Sequence, residues 1–233
     1  MNTELFQKFS IFEDELIKKY NEHSFYKKID SLSNETFRKF VIQIGFVSFE
    51  FVKFLERAKF PFENEAIREA ARHILRDEIP VDGPTHQDNR ISDLRMLGFT
   101  LDEILNTPAT NDTKKTIDGY YSLVKYPQEN YDLKVLTAVR VIGEVLVGET
   151  YRHVVEQMVK RFGLNPDKSL FYTFHWKHDQ KGGTGDAGGE GHTEYYDKVM
   201  QEMLTDEAKL QIAKDSAQKA FQVRCDFHNQ FLN

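Results

Sequence analysis

Only one cysteine, Cys225, occurs in the 233 residues, so no intrachain disulfide can form and the fold must hold without covalent staples. That usage fits a reducing compartment. Basic runs are missing as well. The chain has 31 Lys and Arg against 37 Asp and Glu, a net charge of −6. This balance argues against nucleic acid and against an anionic membrane surface as partners. Long apolar runs are absent. The most apolar stretch, Phe40 to Leu55, is interrupted by Gln43, Glu50 and Lys53, whereas a membrane span needs about 20 mostly apolar residues. Residues 1–20 carry Glu4, Lys8, Glu13, Asp14, Glu15, Lys18 and Lys19, which leaves no apolar segment of a secretory signal. The expected location is therefore the cytoplasm. Period-two alternation and internal repeats are absent too, which removes sheet-based folds and solenoids.

What remains is helical patterning rich in aromatics, with 19 Phe and 10 Tyr. Leu5, Phe9, Phe12, Leu16 and Tyr20 form one stripe over 4–20. Phe37, Phe40, Val41, Ile44, Val47, Phe51 and Leu55 form another over 34–59, with Ser33 or Asn34 as N-cap. Further helices are expected between Pro61 and Pro80, from Thr85 to Gly98, and over 101–106 and 111–125. A long helix over 129–162 ends at Gly163. Asn165 and Pro166 open the next, which runs to about Asp179. A last one covers 193–231. Six of the 13 glycines lie between Gly182 and Gly191, so 180–191 reads as a loop insertion. The expectation is an all-α protein, one domain over 1–233, with seven or eight helices in a single bundle.

Several motifs fail on context. Gly183 to Gly188 matches G-x-G-x-x-G but follows a charged helix end, not a strand. No histidine has Glu or Asp three residues before it, which excludes the paired Glu-x-x-His sites of ferritin-like bundles. Cys225 reads as a buried, inert thiol despite its neighbour Arg224. The pairs Glu69/His73 and Glu149/His153, four residues apart, read as solvated surface pairs.

Two carboxylates instead occupy apolar positions. Glu144 falls on the stripe Thr137, Val141, Gly148, Tyr151, Val155, and Glu78 extends the stripe Ile67, Ala71, Ile74, Leu75. A buried carboxylate must protonate, pair with a cation or bind a metal. The structural alternative is an ion pair with a residue such as Arg140. Histidines are available to match. His175 and Asp179 share a helix face, His86 follows Glu78 across a turn, and His192 closes the glycine segment. The inventory is three carboxylates (Glu78, Glu144, Asp179) and three imidazoles (His86, His175, His192). Mixed imidazole and carboxylate donors suit iron or manganese better than thiolate-loving ions. Two divalent ions would leave such a cluster close to neutral.

The stretch Leu75-Arg76-Asp77-Glu78…His86…Leu94…Leu97-Gly98, the lone Glu144 and Tyr172…His175-x-x-x-Asp179 together resemble the haem-oxygenase-like diiron oxidases and oxygenases. That group includes the chlamydial protein associating with death domains and shares its bundle with haem oxygenase, thiaminase II and pyrroloquinoline quinone synthase. The resemblance implies a non-haem, O2-dependent oxidase or oxygenase acting on a small organic substrate, with two Fe per chain held by Glu78, His86, Glu144, His175, Asp179 and His192. It implies a homodimer, and it suggests Tyr151 and Tyr172 as participants in the chemistry. One departure stands out. Where the group has a histidine three residues after the Asp, this chain has Gly182. His192, His178 or Glu190 must then supply that ligand, or the second metal position is lost. The alternatives are a non-catalytic interaction protein of the same fold, with its carboxylates paired to Arg or Lys, and a cofactor-free oxidase.

Overall fold

In the computed structural model of the chain, residues 3–79, 82–183 and 192–232 are described, and among them there is no strand. The helices are α1 (Thr3–Asn21), α2 (Ser24–Lys28), α3 (Asn34–Lys59), α4 (Glu65–Glu78), α5 (His86–Met96), α6 (Leu101–Asn106), α7 (Asn111–Leu123), α8 (Tyr131–Val139), α9 (Leu146–Phe162), α10 (Tyr172–Asp179), α11 (His192–Met203) and α12 (Glu207–Asn229). Local chemistry fixes most starts. Ser33, Asn64 and Thr110 accept backbone N–H bonds at their helix N-termini, and Thr85 and Thr100 form capping boxes with Asp88 and Glu103. Gly163, at φ 71°, ends α9 in the left-handed conformation that glycine adopts without strain.

Three boundaries differ from the periodicity. The long helix expected over 129–162 is interrupted by a π-helical turn, Arg140–Val145, between α8 and α9. Asn165 and Pro166 open only a 3₁₀ turn, and α10 begins at Tyr172. The final helix breaks between Met203 and Glu207, where the Asp206 side chain accepts the Lys209 N–H at 2.8 Å and starts α12 afresh. A π-turn inserts one residue into the helical register and is found often at functional sites. Here it rotates the α8 stripe relative to that of α9 and contains Glu144.

α12 packs against α1, α7 and α8, α3 against α4 and α7, and α10 lies along α9. The last contact depends on Gly148. A Cβ there would sit 2.4 Å from the Gln180 backbone nitrogen. The missing side chain therefore lets the C-terminal end of α10, with Asp179, approach the helix that follows Glu144.

Beside this junction lies a buried ion pair. Arg140 and Glu13 are each 1 % exposed. The guanidinium meets Glu13 at 2.9 and 3.0 Å, Asp197 at 2.6 Å and the Thr193 carbonyl at 2.7 Å. It ties α1, the π-turn and α11 together. Removing one partner of such a pair leaves a desolvated charge, which is strongly destabilising. Glu13→Ala is expected to lose about 3 kcal/mol of stability in urea denaturation. Glu35→Ala, at an exposed position, should stay within about 0.5 kcal/mol of the parent. Equal effects would remove the clamp role.

Candidate metal centre

Glu78 ends α4 and His86 begins α5. The Thr85 capping box fixes where α5 starts, and the two side chains meet across the turn, His86 Nδ1 to Glu78 Oε2 at 3.0 Å. α10 is held against α5 by Asp93. This fully buried carboxylate accepts the Ser169 hydroxyl at 2.8 Å and the backbone N–H groups of Leu170, Phe171 and Tyr172 at 2.9, 3.0 and 3.3 Å. It thereby satisfies donors that a helix N-terminus leaves open. The result places His175 beside His86, with ring centroids 4.7 Å apart. His175 Nδ1–H donates to the Phe171 carbonyl at 2.8 Å, because a carbonyl can only accept. Nε2 is left with its lone pair. One donor atom each from Glu78, His86 and His175 lies within 4.8 Å of the others.

A second group adjoins the first. His178, Asp179 and His192 also bring donor atoms within 4.8 Å of one another. His178 Nδ1 lies 3.1 Å from Asp179 Oδ1. His192 Nδ1 faces Glu144 Oε2 at 3.2 Å and Asp179 Oδ1 at 3.8 Å, while its Nε2 faces Asp77 Oδ2 at 3.3 Å. A carboxylate on the far nitrogen is the arrangement that orients an imidazole ligand. Glu144 is 1 % exposed, and its Oε1 has no hydrogen-bond partner.

Charge in this cluster is strongly coupled. Burial drives the Asp179 carboxyl well above the carboxylate range, and the nearby Glu144 pushes it the same way. Burial opposes charge on His192, but Glu144 and Asp77 outweigh it and raise that imidazole well above its ordinary value. His86 is also raised, because Glu78 overcomes burial. Burial would likewise raise Glu78, yet the His86 hydrogen bond and the surrounding imidazoles hold it low. His175 goes the other way: burial lowers it to about 3. It is a neutral imidazole at any ordinary pH, the form that binds a metal.

A cavity of about 300 Å³ opens onto the first group. Its wall includes Phe51, Val147, Tyr151 and Phe171, with Glu78, His86 and His175 on one side. Tyr151 lies 5.8 Å from His175 and 5.6 Å from Tyr172, centroid to centroid, and shares a 2.6 Å hydrogen bond with Ser48. Burial raises both phenols, Tyr172 to about 12. Among the described residues the Tyr172 hydroxyl makes no hydrogen bond of full geometry, and the Arg90 guanidinium is the cation beside it.

The six residues expected as ligands fall into two neighbouring groups, with Glu144 set against His192 of the second, and the grouping differs from the order along the chain. His175 sides with Glu78 and His86, and His178 joins Asp179 and His192. Glu190 lies outside the described residues, as does most of the glycine-rich segment. Arg140 forms its ion pairs with Glu13 and Asp197 and reaches Glu144 only through longer-range attraction. Glu149 and His153 are not solvated as expected. His153 stacks on Tyr26 at 4.2 Å and meets Asn21, and Glu149 takes hydrogen bonds from Asn21 and Arg152. Glu69 is exposed and pairs with Arg72 and Arg76, whereas His73 contacts Asp77 at 3.6 Å and Tyr195. The Cys225 thiol is buried and pushed up to about 12, inert as expected. Asp77, Asp93 and the Glu13–Arg140 pair carried no sequence signal, because each acts through a contact distant in the chain.

The His175 shift has a sign that can be measured. In the unfolded chain an imidazole titrates near 6.5, and in the folded chain this one stays neutral to about 3. The unfolded state therefore takes up the proton first, and stability falls as pH drops below about 6.5. Between pH 7 and pH 5 the metal-free protein should lose about 2 kcal/mol more than its His175→Gln variant, read by urea denaturation. Parallel pH curves for the two proteins would contradict this.

No protein-family model matches the sequence, and no curated protein matches it. Solved structures do match in shape. A CADD-like protein of unknown function from Nostoc punctiforme PCC 73102 superposes with a TM-score of 0.71 at 14 % identity, covering 97 % of both chains. A second structure of a CADD-like protein from that organism gives 0.62 at 12 % identity, covering 97 % of this chain and 94 % of the other. A TenA family transcription regulator from Silicibacter sp. TM1040 gives 0.63 at 14 % identity, covering 97 % and 96 %. At these identities the likeness is one of fold. The all-α, haem-oxygenase-like architecture expected from the sequence is the architecture of this chain, shared with CADD-like and TenA-family proteins.

Proposed function

We propose that the chain is a non-haem iron enzyme, an O2-dependent oxidase or oxygenase of a small organic substrate, with two metal positions inside the bundle. The observation that carries this reading is Glu144: a fully buried carboxylate with one oxygen unpartnered, set beside Asp179, with no Arg or Lys at ion-pair distance from either among the described residues. The interaction-protein reading needs a cation there, and Arg140 is engaged elsewhere. The donors fit iron or manganese, being oxygen and imidazole nitrogen throughout. Glu78, His86 and His175 would hold one ion; His178, Asp179 and His192 would hold the other, with the free Oε1 of Glu144 available to either. When bound, such ions supply redox and O2 chemistry that protein side chains lack.

The chain's own groups do the rest. Phe171 keeps Nε2 of His175 available by accepting at Nδ1. Asp77 accepts from Nε2 of His192 and turns Nδ1 inward. Phe51, Val147 and Phe171 exclude water from the cavity wall. Tyr151 stands next to the first group and Tyr172 packs against Tyr151, so both are oxidisable side chains close to it. No helix of the described residues is long and apolar enough to cross a membrane.

Anaerobic reconstitution followed by metal analysis tests the proposal. About two ions per chain are expected, with Glu144→Ala binding about one or fewer while remaining folded. Fewer than about one ion per two wild-type chains would overturn it. Because burial and neighbouring charges shift His86, His192 and Asp179 toward their protonated forms, loading should release protons and weaken as pH falls. Calorimetry in buffers of different ionisation enthalpy reads that release, and a buffer-independent heat would contradict it.

A further inference from the structure

A smaller cavity of about 130 Å³ lies beside the one just described, between α3, α5 and α6. Its walls are Ile42, Phe46, Phe49, Ile104 and Leu105, and its one charged residue is Arg90. Phe49 and Gln87 line both cavities, so the two adjoin. Arg90 is 3 % exposed. Its guanidinium lies over Gly45, where a Cβ would come within 2.2 Å of Nη2, and 5.3 Å from the Phe49 ring. Nη2 donates to the Val41 carbonyl at 2.8 Å. Nε makes no hydrogen bond of full geometry, its neighbour being the Tyr172 hydroxyl, and among the described residues no carboxylate forms an ion pair with the guanidinium.

The other two fully buried guanidinium groups differ. Arg140 is matched by Glu13 and Asp197. Arg224 donates from Nε, Nη1 and Nη2 to the hydroxyls of Tyr20, Tyr120 and Thr150. Arg90 alone of the three pairs incomplete satisfaction with a cavity. A desolvated cation without a counter-charge is costly, and a single guanidinium matches a single carboxylate, whose two oxygens fit its fork.

We propose that Arg90 is the anchor for the carboxylate of a small apolar acid, whose body runs past Phe49 and Gln87 into the cavity bordered by His86 and His175. The aromatic walls, Phe46 and Phe49 in one cavity and Phe51 and Phe171 in the other, favour a ring-bearing body. Only the direction of the reacting end rests on the metal-centre reading; the binding step itself needs no metal.

Calorimetric titration of the full, metal-free chain with 4-phenylbutyrate and with 4-phenylbutan-1-ol tests this. The acid is expected to bind at least about tenfold more tightly than the alcohol. Arg90→Gln should abolish that preference and leave the affinity for the alcohol within about twofold. Absence of acid binding, equal affinities in the wild type, or a preference that survives Arg90→Gln would overturn the proposal. If Arg90→Gln fails to fold, Leu105→Asp serves in its place. Leu105 is 57 % exposed at the pocket rim, and a carboxylate there should compete for Arg90 and weaken acid binding at least about tenfold. Unchanged acid binding in that variant would also overturn the proposal. Since the titration is done without metal, its outcome is independent of whether iron loads.

Discussion

Negative charge that has been taken out of water must be answered by something, and in this chain that requirement shapes the centre of the bundle. Glu144 and Asp179 are almost fully buried, and burial together with the nearby Glu144 raises the Asp179 carboxyl well above the carboxylate range. Among the described residues, the groups at ion-pair distance from them are imidazoles. An imidazole can answer a carboxylate in two ways: by carrying a proton, or by joining it in binding a metal ion. Without metal the cluster is shifted toward the proton-bearing arrangement: His86 and His192 are raised and Asp179 is raised as well. A divalent ion would replace those protons with charge placed closer to the carboxylates.

The surrounding fold makes such a cluster affordable by fixing its members from outside. Asp93 holds the start of α10 through four hydrogen bonds. Gly148 admits the other end of the same helix. Arg140 grips the Thr193 carbonyl next to His192 while meeting Glu13 on α1. Each of these contacts lies one residue or one turn from a candidate ligand. None needs a charge of its own inside the cavity, so that space keeps its apolar wall.

Much of this was legible in the sequence because it obeyed local rules. The helical stripes, the caps at Ser33, Thr85 and Gly163, and the absence of strand alternation specify an all-α bundle. Glu78 and Glu144 stood out as acidic residues at apolar positions, and His175 and Asp179 by their shared face. The π-turn was not legible, because a one-residue change of register leaves the apolar pattern of 129–162 intact. The break before Glu207 was missed because the stripe resumes in phase with a fresh N-cap at Asp206. His178 reads from the sequence as one of three candidates, with His192 and Glu190, for the displaced ligand. It joins His192 because the chain returns from the glycine-rich segment at that point, which no spacing rule encodes. His153 was misread because its solvated-looking face is covered by Tyr26, more than a hundred residues away in the chain.

The most direct test of the central claim is anomalous diffraction at the iron edge from crystals of reconstituted protein. The account predicts two peaks inside the bundle, one among Glu78, His86 and His175 and the other among His178, Asp179 and His192, with Glu144 in contact with at least one. An empty map, with Glu144 turned to a lysine or arginine, would contradict it.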